Sequence, residues 1–170
     1  MKAINLIFIC LLIISTPAFA DTSGEIKVGA TLPPAVLNAL TGRSGKFSDF
    51  RGKPLIINVW ASWCGPCRAE MGSLDNISRR FGGKQLNVIG ISTDDDAYAA
   101  VSFVREAKLS FNNYLDNNVI LENMLGANTI PLTILVDARG RVLQKVRGSQ
   151  AWDSPEALAM IGKSFQIKLN

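Results

Sequence analysis

The sequence predicts a single α/β domain, a mixed central sheet flanked by helices. Three observations carry that prediction. Leu55–Trp60 and Leu86–Ser92 are nearly continuous apolar runs, each suited to a strand covered on both faces, and each is followed by a helical segment. Leu132–Val136 and Val142–Val146 read as two further strands joined by the turn Asp137-Ala138-Arg139-Gly140. No repeat, low-complexity tract or interdomain linker breaks the chain, so one core serves all these elements.

Met1–Ala20 has the pattern of a secretory signal peptide. Lys2 supplies the basic start, Leu6–Ile14 the apolar run, and Ala18-Phe19-Ala20 a small-x-small cleavage site, which makes 21–170 the folded domain. The run falls short of the ~20 apolar residues that a spanning helix needs. The expected location is therefore periplasmic or otherwise extracytoplasmic, the alternative being a chain anchored by an uncleaved N-terminal segment. Cys10 lies in this segment and leaves with it; the bulky Ile9 before it does not suit acylation of that cysteine.

The remaining elements follow in order. Ile26–Lys53 is rich in turn residues around two short apolar pieces, Ala35–Leu40 and Lys46–Phe50, and reads as a β-hairpin leading into the core. Pro54–Trp60 is the central strand. A helix starts just after Cys64, because Pro66 suits the first turn, where a missing N–H costs nothing. Cys67, Met71, Leu74 and Ile77 or Phe81 form its inward stripe, and Gly82-Gly83 ends it. Asp94-Asp95-Asp96 reads as the N-cap of a helix over Ala97–Lys108, since the ligand and glycine spacing of a calcium loop is missing. Tyr114–Asp116 is a short strand and Val119–Leu125 a short helix. Ser154 caps the last helix, with Pro155 at its first position.

Composition excludes several chemistries. The chain of 170 residues carries a net charge of +4 with both signs dispersed, and it has no basic arm or aromatic-basic stripe for nucleic acid. It has no histidine and three cysteines, so beyond Cys10 only Cys64 and Cys67 remain. Half a zinc site is one reading of a Cys-x-x-Cys. Zinc wants about four ligands, and the other cysteines and histidines for it are missing. No metal and no cofactor are expected. As a structural staple the pair would close too short a loop to restrain the unfolded chain much.

A working thiol–disulfide pair is the reading that remains. The attacking species is a thiolate, and a helix N-terminus favours it through unpaired backbone N–H groups and the helix dipole. Cys64 is thus expected to attack a substrate disulfide, and Cys67, one turn along and deeper, to resolve the mixed disulfide.

The stretch Trp60-Ala61-Ser62-Trp63-Cys64-Gly65-Pro66-Cys67-Arg68-Ala69-Glu70 resembles the thioredoxin superfamily, and in particular the exported reductases of the TlpA, ResA and CcmG type. The resemblance runs from the Val28–Leu32 entry to Trp152–Pro155, where Gly148…Trp152-Asp153-Ser154-Pro155-Glu156 looks most like the TlpA branch. It implies a thioredoxin fold with an N-terminal β-hairpin extension and a strand–helix insertion over roughly Phe111–Leu125. It also implies that Ile130-Pro131-Leu132-Thr133 is the second active-site loop. Pro131 would then be cis, and the Ile130 backbone would pair with an extended substrate segment. Trp63, Gly65, Pro66, Ile130 and Pro131 are the expected substrate contacts. Trp63 would serve as an exposed docking surface, whereas Trp60 packs in the core. Thr129 either lines the substrate groove or merely begins the loop.

Two departures bear on mechanism. Plain thioredoxin has a buried aspartate where this chain has Asn58, which cannot take up a proton. The resemblance suggests Glu70 as the replacement acid–base group for Cys67, on the same helix face at i, i+3. The alternative is a solvated glutamate paired with Arg68 or Arg51. Gly72 stands where relatives carry a kinking proline, so nothing obliges the helix to bend there.

The expected function is an exported thiol–disulfide reductase, kept reduced by a membrane thiol electron exporter. Its expected substrates are protein disulfides of apocytochrome c or of copper-site assembly proteins. The alternative is a periplasmic oxidase or isomerase-type donor of disulfides. Gly65-Pro66 between the cysteines matches the reducing end of that range. A peroxidase would need Thr or Ser at Ala61, and a copper chaperone of the Sco kind would need a histidine. An adhesion or folding module with an inert disulfide is the last alternative.

Overall fold

The computed structural model describes residues 24–169, so the signal-peptide reading of Met1–Ala20 and Cys10 lies outside the described residues. Seven strands form one sheet in the order β2-β1-β5-β4-β3-β6-β7. They are β1 (Val36–Ala39), β2 (Gly45–Lys46), β3 (Leu55–Trp60), β4 (Asn87–Ser92), β5 (Asn112–Leu115), β6 (Leu132–Val136) and β7 (Val142–Arg147). The helices are α1 (Gly65–Phe81), α2 (Ala97–Glu106), α3 (Ile120–Leu125) and α4 (Pro155–Phe165). β3, β4 and β5 run parallel; β6 is antiparallel to β3, β7 to β6, and β1 to β5. This is the thioredoxin-like mixed sheet that the sequence implied.

β3 explains its own unbroken apolar run. Ile56 and Trp60 join the core under α1, α2 and α4, while Leu55, Ile57 and Val59 join the core on the opposite face. Alternate side chains of a strand point to opposite faces, so a strand covered twice needs apolar residues throughout. Asn58 is the one polar side chain in that run, and it shares the α1 face with Ile56 and Trp60. The whole predicted α1 stripe is buried, with both Ile77 and Phe81 turned inward.

The N-terminal hairpin forms as predicted for β1 and β2, but Phe47–Phe50 closes into a 3-10 turn instead of extending the second strand. Phe47 is thereby buried in the core on the face opposite α1. β1 pairs with β5, so the N-terminal extension and the central insertion meet each other at one edge of the sheet. α2 ends at Glu106, two residues short of the expected Lys108, whose φ of 51° lies in the left-handed region. α3 starts one residue late, with Val119 outside it and Asp116 accepting from the Ile120 and Glu122 backbone N–H groups at 3.0 and 2.7 Å. Among the described residues no helix is long and apolar enough to cross a membrane.

Candidate functional site: a disulfide at a helix N-terminus beside a buried carboxyl

The C-terminal end of β3 delivers the chain to the start of α1, and the two cysteines occupy that junction. Cys64 is the N-cap residue, Pro66 lies in the first turn, and the Cys67 backbone N–H donates to Cys64 Sγ at 3.2 Å. A thiolate formed at Cys64 therefore meets a backbone donor and the positive end of a 17-residue helix. Cys64 and Cys67 are joined as a disulfide, with Cα atoms 5.3 Å apart. Cys67 is fully buried, whereas Cys64 keeps 6% of its surface. Of the two cysteines, Cys64 is therefore the one that reaches the surface.

Trp63 stands 71% exposed next to Cys64, and Trp60 is completely buried, as expected for both. The Ile130–Pro131 peptide is cis. Leu132 pairs with Val59, so Pro131 lies beside the end of β3 that leads to the cysteines. The Pro131 carbonyl accepts from Gly148 N–H at 2.9 Å. Ile130 is half-buried, and its backbone N–H and C=O enter no hydrogen bond with the described residues, which leaves both for an extended segment. Thr129 is exposed at the start of this loop.

Glu70 is 1% exposed, which corrects the alternative of a solvated surface glutamate. Its Oε1 receives Asn58 Nδ2 at 2.7 Å, and its Oε2 receives the Gln150 N–H and the Trp152 indole N–H, each at 3.0 Å. Burial pushes its pKa above the ordinary 4.5, and the Gln150, Trp152 and Asn58 hydrogen bonds oppose that rise without cancelling it. The folded protein thus holds this proton at pH values where the unfolded chain has released it. The sign follows from linkage: stability from this group is full below about 4.5 and is lost as pH rises through the higher folded value. The stability of the wild type relative to Glu70→Gln is expected to fall across that window in denaturant titrations run at a series of pH values. A difference that stays flat would contradict the buried carboxyl.

Two parts of the site escaped the sequence reading. Gln150 and Trp152 clamp Glu70 from a loop 80 residues away in the chain. The one available signal was Trp152 itself, since a buried indole N–H must find an acceptor. Asp94 was grouped with the helix cap, yet only Asp96 caps α2, accepting from Tyr98 N–H at 2.8 Å. Asp94 is buried and turns to the redox loop instead. It accepts from Ser62 N–H at 2.9 Å and Ser62 Oγ at 2.6 Å, and its Oδ2 accepts from Ser92 Oγ at 2.7 Å. That fixes the backbone two residues before Cys64. Arg68 lies over the Phe103 ring at 5.0 Å and helps pin the first turn of α1 to α2. Among the described residues no group of three or more His, Cys, Asp and Glu could hold a metal ion.

Comparison with known proteins places this arrangement among relatives. The family model for Redoxin matches residues 27–161. The chain is 27% identical over 132 residues to the thiol-disulfide oxidoreductase ResA of Bacillus thuringiensis subsp. konkukian, covering 78% of this chain and 76% of that protein. It is 26% identical over 148 residues to ResA of Bacillus subtilis, covering 86% and 82%. A Chlorobium tepidum structure described as a thiol:disulfide interchange protein DsbE superposes with a TM-score of 0.75 at 25% identity, over 82% of this chain and 99% of that one.

Proposed function

This chain belongs to the Redoxin family, and from that premise we propose that it is an exported reductase of protein disulfides serving cytochrome c or copper-site maturation. It is a thiol–disulfide oxidoreductase of the thioredoxin fold. The observation that carries the reading is the pairing of a reachable Cys64 at the helix N-cap with a fully buried Cys67 one turn below.

The reaction runs in two exchanges. The Cys64 thiolate attacks one sulfur of a substrate disulfide, forming a mixed disulfide and releasing the other substrate sulfur as a thiolate. Cys67 then gives up its proton and attacks Cys64 Sγ, which frees the second substrate thiol and forms the Cys64–Cys67 disulfide. The substrate gains two electrons and the protein loses two. Glu70, one turn beyond Cys67 on α1, is the proposed acceptor of the Cys67 proton; burial raises its pKa above the ordinary carboxylate value, which makes its carboxylate a stronger base for that proton. Trp63, Gly65, Pro66, Ile130 and Pro131 are the proposed contacts to the substrate chain. A membrane thiol electron exporter returns the two electrons, and the site of action is periplasmic or otherwise extracytoplasmic.

The ResA name of the relatives in Bacillus supports the thiol–disulfide chemistry directly. The cytochrome assignment rests on resemblance to the ResA and CcmG type, and the copper-site one on the TlpA-like Trp152–Glu156 segment. The test uses the reduced protein and two oxidised peptides, one a Cys-x-x-Cys-His haem-attachment sequence and the other a copper-site cysteine pair. Rapid, stoichiometric reduction of either supports the proposal and selects between them. Failure with both, together with oxidation of a reduced unfolded protein by the disulfide form, would replace it with the oxidase reading.

A further inference from the structure

The two oxygens of Glu70 face different kinds of partner. Oε2 meets the Gln150 N–H and the Trp152 indole N–H, both of which can only donate. A neutral Glu70 therefore carries its hydrogen on Oε1, where its partner is the Asn58 amide at 2.7 Å. Asn58 Nδ2 also donates to Thr133 Oγ1 at 3.0 Å, across the register pair Asn58–Thr133 of β3 and β6. Asn58 Oδ1 is buried and has no hydrogen-bond partner among the described residues.

A half-turn of an amide exchanges its oxygen and its nitrogen in nearly the same places. Against the Glu70 carboxylate, Nδ2 is the right atom. Against a hydrogen on Oε1, Nδ2 would set donor against donor, and the turned amide would present Oδ1 as acceptor. The Thr133 hydroxyl fits both orientations, because it accepts from Nδ2 in one and donates to Oδ1 in the other. Either way one amide atom is left unpaired on the far side, Oδ1 in the first orientation and Nδ2 in the second.

We propose that Asn58 is a positioning residue whose amide turns with the proton on Glu70 Oε1, with Thr133 supporting both orientations. Asn58 is then the partner that lets a buried carboxyl change charge without losing its hydrogen bond at Oε1. The proposal rests on the reading of Glu70 as proton carrier for Cys67, and it holds whichever way electrons flow. The groups that act on Glu70 are uncharged: Asn58 from β3, and Gln150 and Trp152 from the loop before α4. The titratable group one turn before it on α1 is Cys67, here in the disulfide. Asp75, further along α1, is engaged by Ser110 and Arg79.

The test is a nuclear magnetic resonance titration of the oxidised full-length protein. It follows the Glu70 side-chain carbon and the two Asn58 Nδ2 protons together. As pH falls through the Glu70 midpoint, both Asn58 protons should shift upfield with the same midpoint, because both lose their acceptors. In Glu70→Gln the side-chain carbonyl must stay with Gln150 and Trp152, which places its NH2 against Asn58 and holds the amide turned. Its Asn58 protons should stay upfield at every pH. Asn58 signals that ignore the Glu70 titration in the wild type, or that stay downfield in Glu70→Gln, would overturn the proposal. Since the readout involves no electron transfer, failure of the reductase reading would leave this result untouched.

Discussion

Cys64→Ala is expected to reduce disulfide exchange to background, while Cys67→Ala should react once and stop. The asymmetry follows from where the two sulfurs sit. Cys67 is fully buried beneath the first turn of α1, so no substrate disulfide can reach it in the folded protein. Cys64 keeps a small exposed surface, borders the 71% exposed Trp63, and holds the Cys67 backbone N–H on its sulfur. Removing Cys64 deletes the one cysteine among the described residues that keeps any exposed surface for a partner. Removing Cys67 leaves the attack intact but gives the mixed disulfide no internal thiol to resolve it. Non-reducing electrophoresis after mixing with an oxidised peptide should show a one-to-one covalent complex for Cys67→Ala and none for Cys64→Ala. The same Cys67→Ala protein, added to an extracytoplasmic extract, should hold the physiological substrate for identification. Complexes formed through Cys67 would reverse the assigned roles.

The second large effect lies away from the sulfurs. Gly90→Ala is expected to destabilise the domain by about 3–5 kcal/mol. Gly90 sits on β4 between Asn58 of β3 and Asn113 of β5 in the register. The Trp60 indole N–H donates to Asn113 Oδ1 at 3.0 Å across that position. A Cβ added there would come within 1.9 Å of Asn113 Oδ1 and 2.8 Å of Trp60 Nε1. Both groups are buried, and separating them leaves a donor and an acceptor unsatisfied, at roughly 1–3 kcal/mol each. Overpacking adds about 1–3 kcal/mol when the neighbours cannot move, and some of these costs overlap. Against a total stability of about 5–15 kcal/mol, that is a large share. For a domain of this size the melting temperature should fall by roughly 6–20 °C. A drop of only a degree or two would mean that Trp60 and Asn113 do not depend on the gap at Gly90.

Much of this architecture was legible because its causes are local. The double-faced burial of β3 shows as an unbroken apolar run, the start of α1 as Gly65-Pro66 after Cys64, and the α4 cap as Ser154-Pro155, which the Ser154 Oγ bond from Ala157 N–H bears out at 3.2 Å. The redox pair was legible because no other cysteine or histidine in residues 21–170 competes with it. The cis Pro131 came from resemblance to a motif, and the spacing of residues alone would not have given it.

What stayed hidden was non-local. The pairing of β1 with β5 joins segments about 75 residues apart, and nothing in either announces the other. Gly90 looks like a weak point in a strand until Trp60 and Asn113 close over it. Asp94 and Asp96 are alike in sequence, yet Asp94, just past the end of β4, meets Ser62 of the redox loop, while Asp96, two residues on, stands at the N-cap of α2. Glu70 was singled out from the vacancy left by Asn58, and the fold buries it against that same Asn58. The partners of its second oxygen, Gln150 and Trp152, come from a loop whose docking depends on the finished fold.

The reduction potential of the Cys64–Cys67 couple tests the central claim most directly. Equilibration of the purified protein with glutathione or dithiothreitol buffers, read by the fraction of free Cys64 and Cys67, gives the value. A reductase with Gly65-Pro66 between its cysteines should lie near the reducing end, towards about −270 mV. A value near −120 mV, the range of strong disulfide donors, would contradict the reductase assignment.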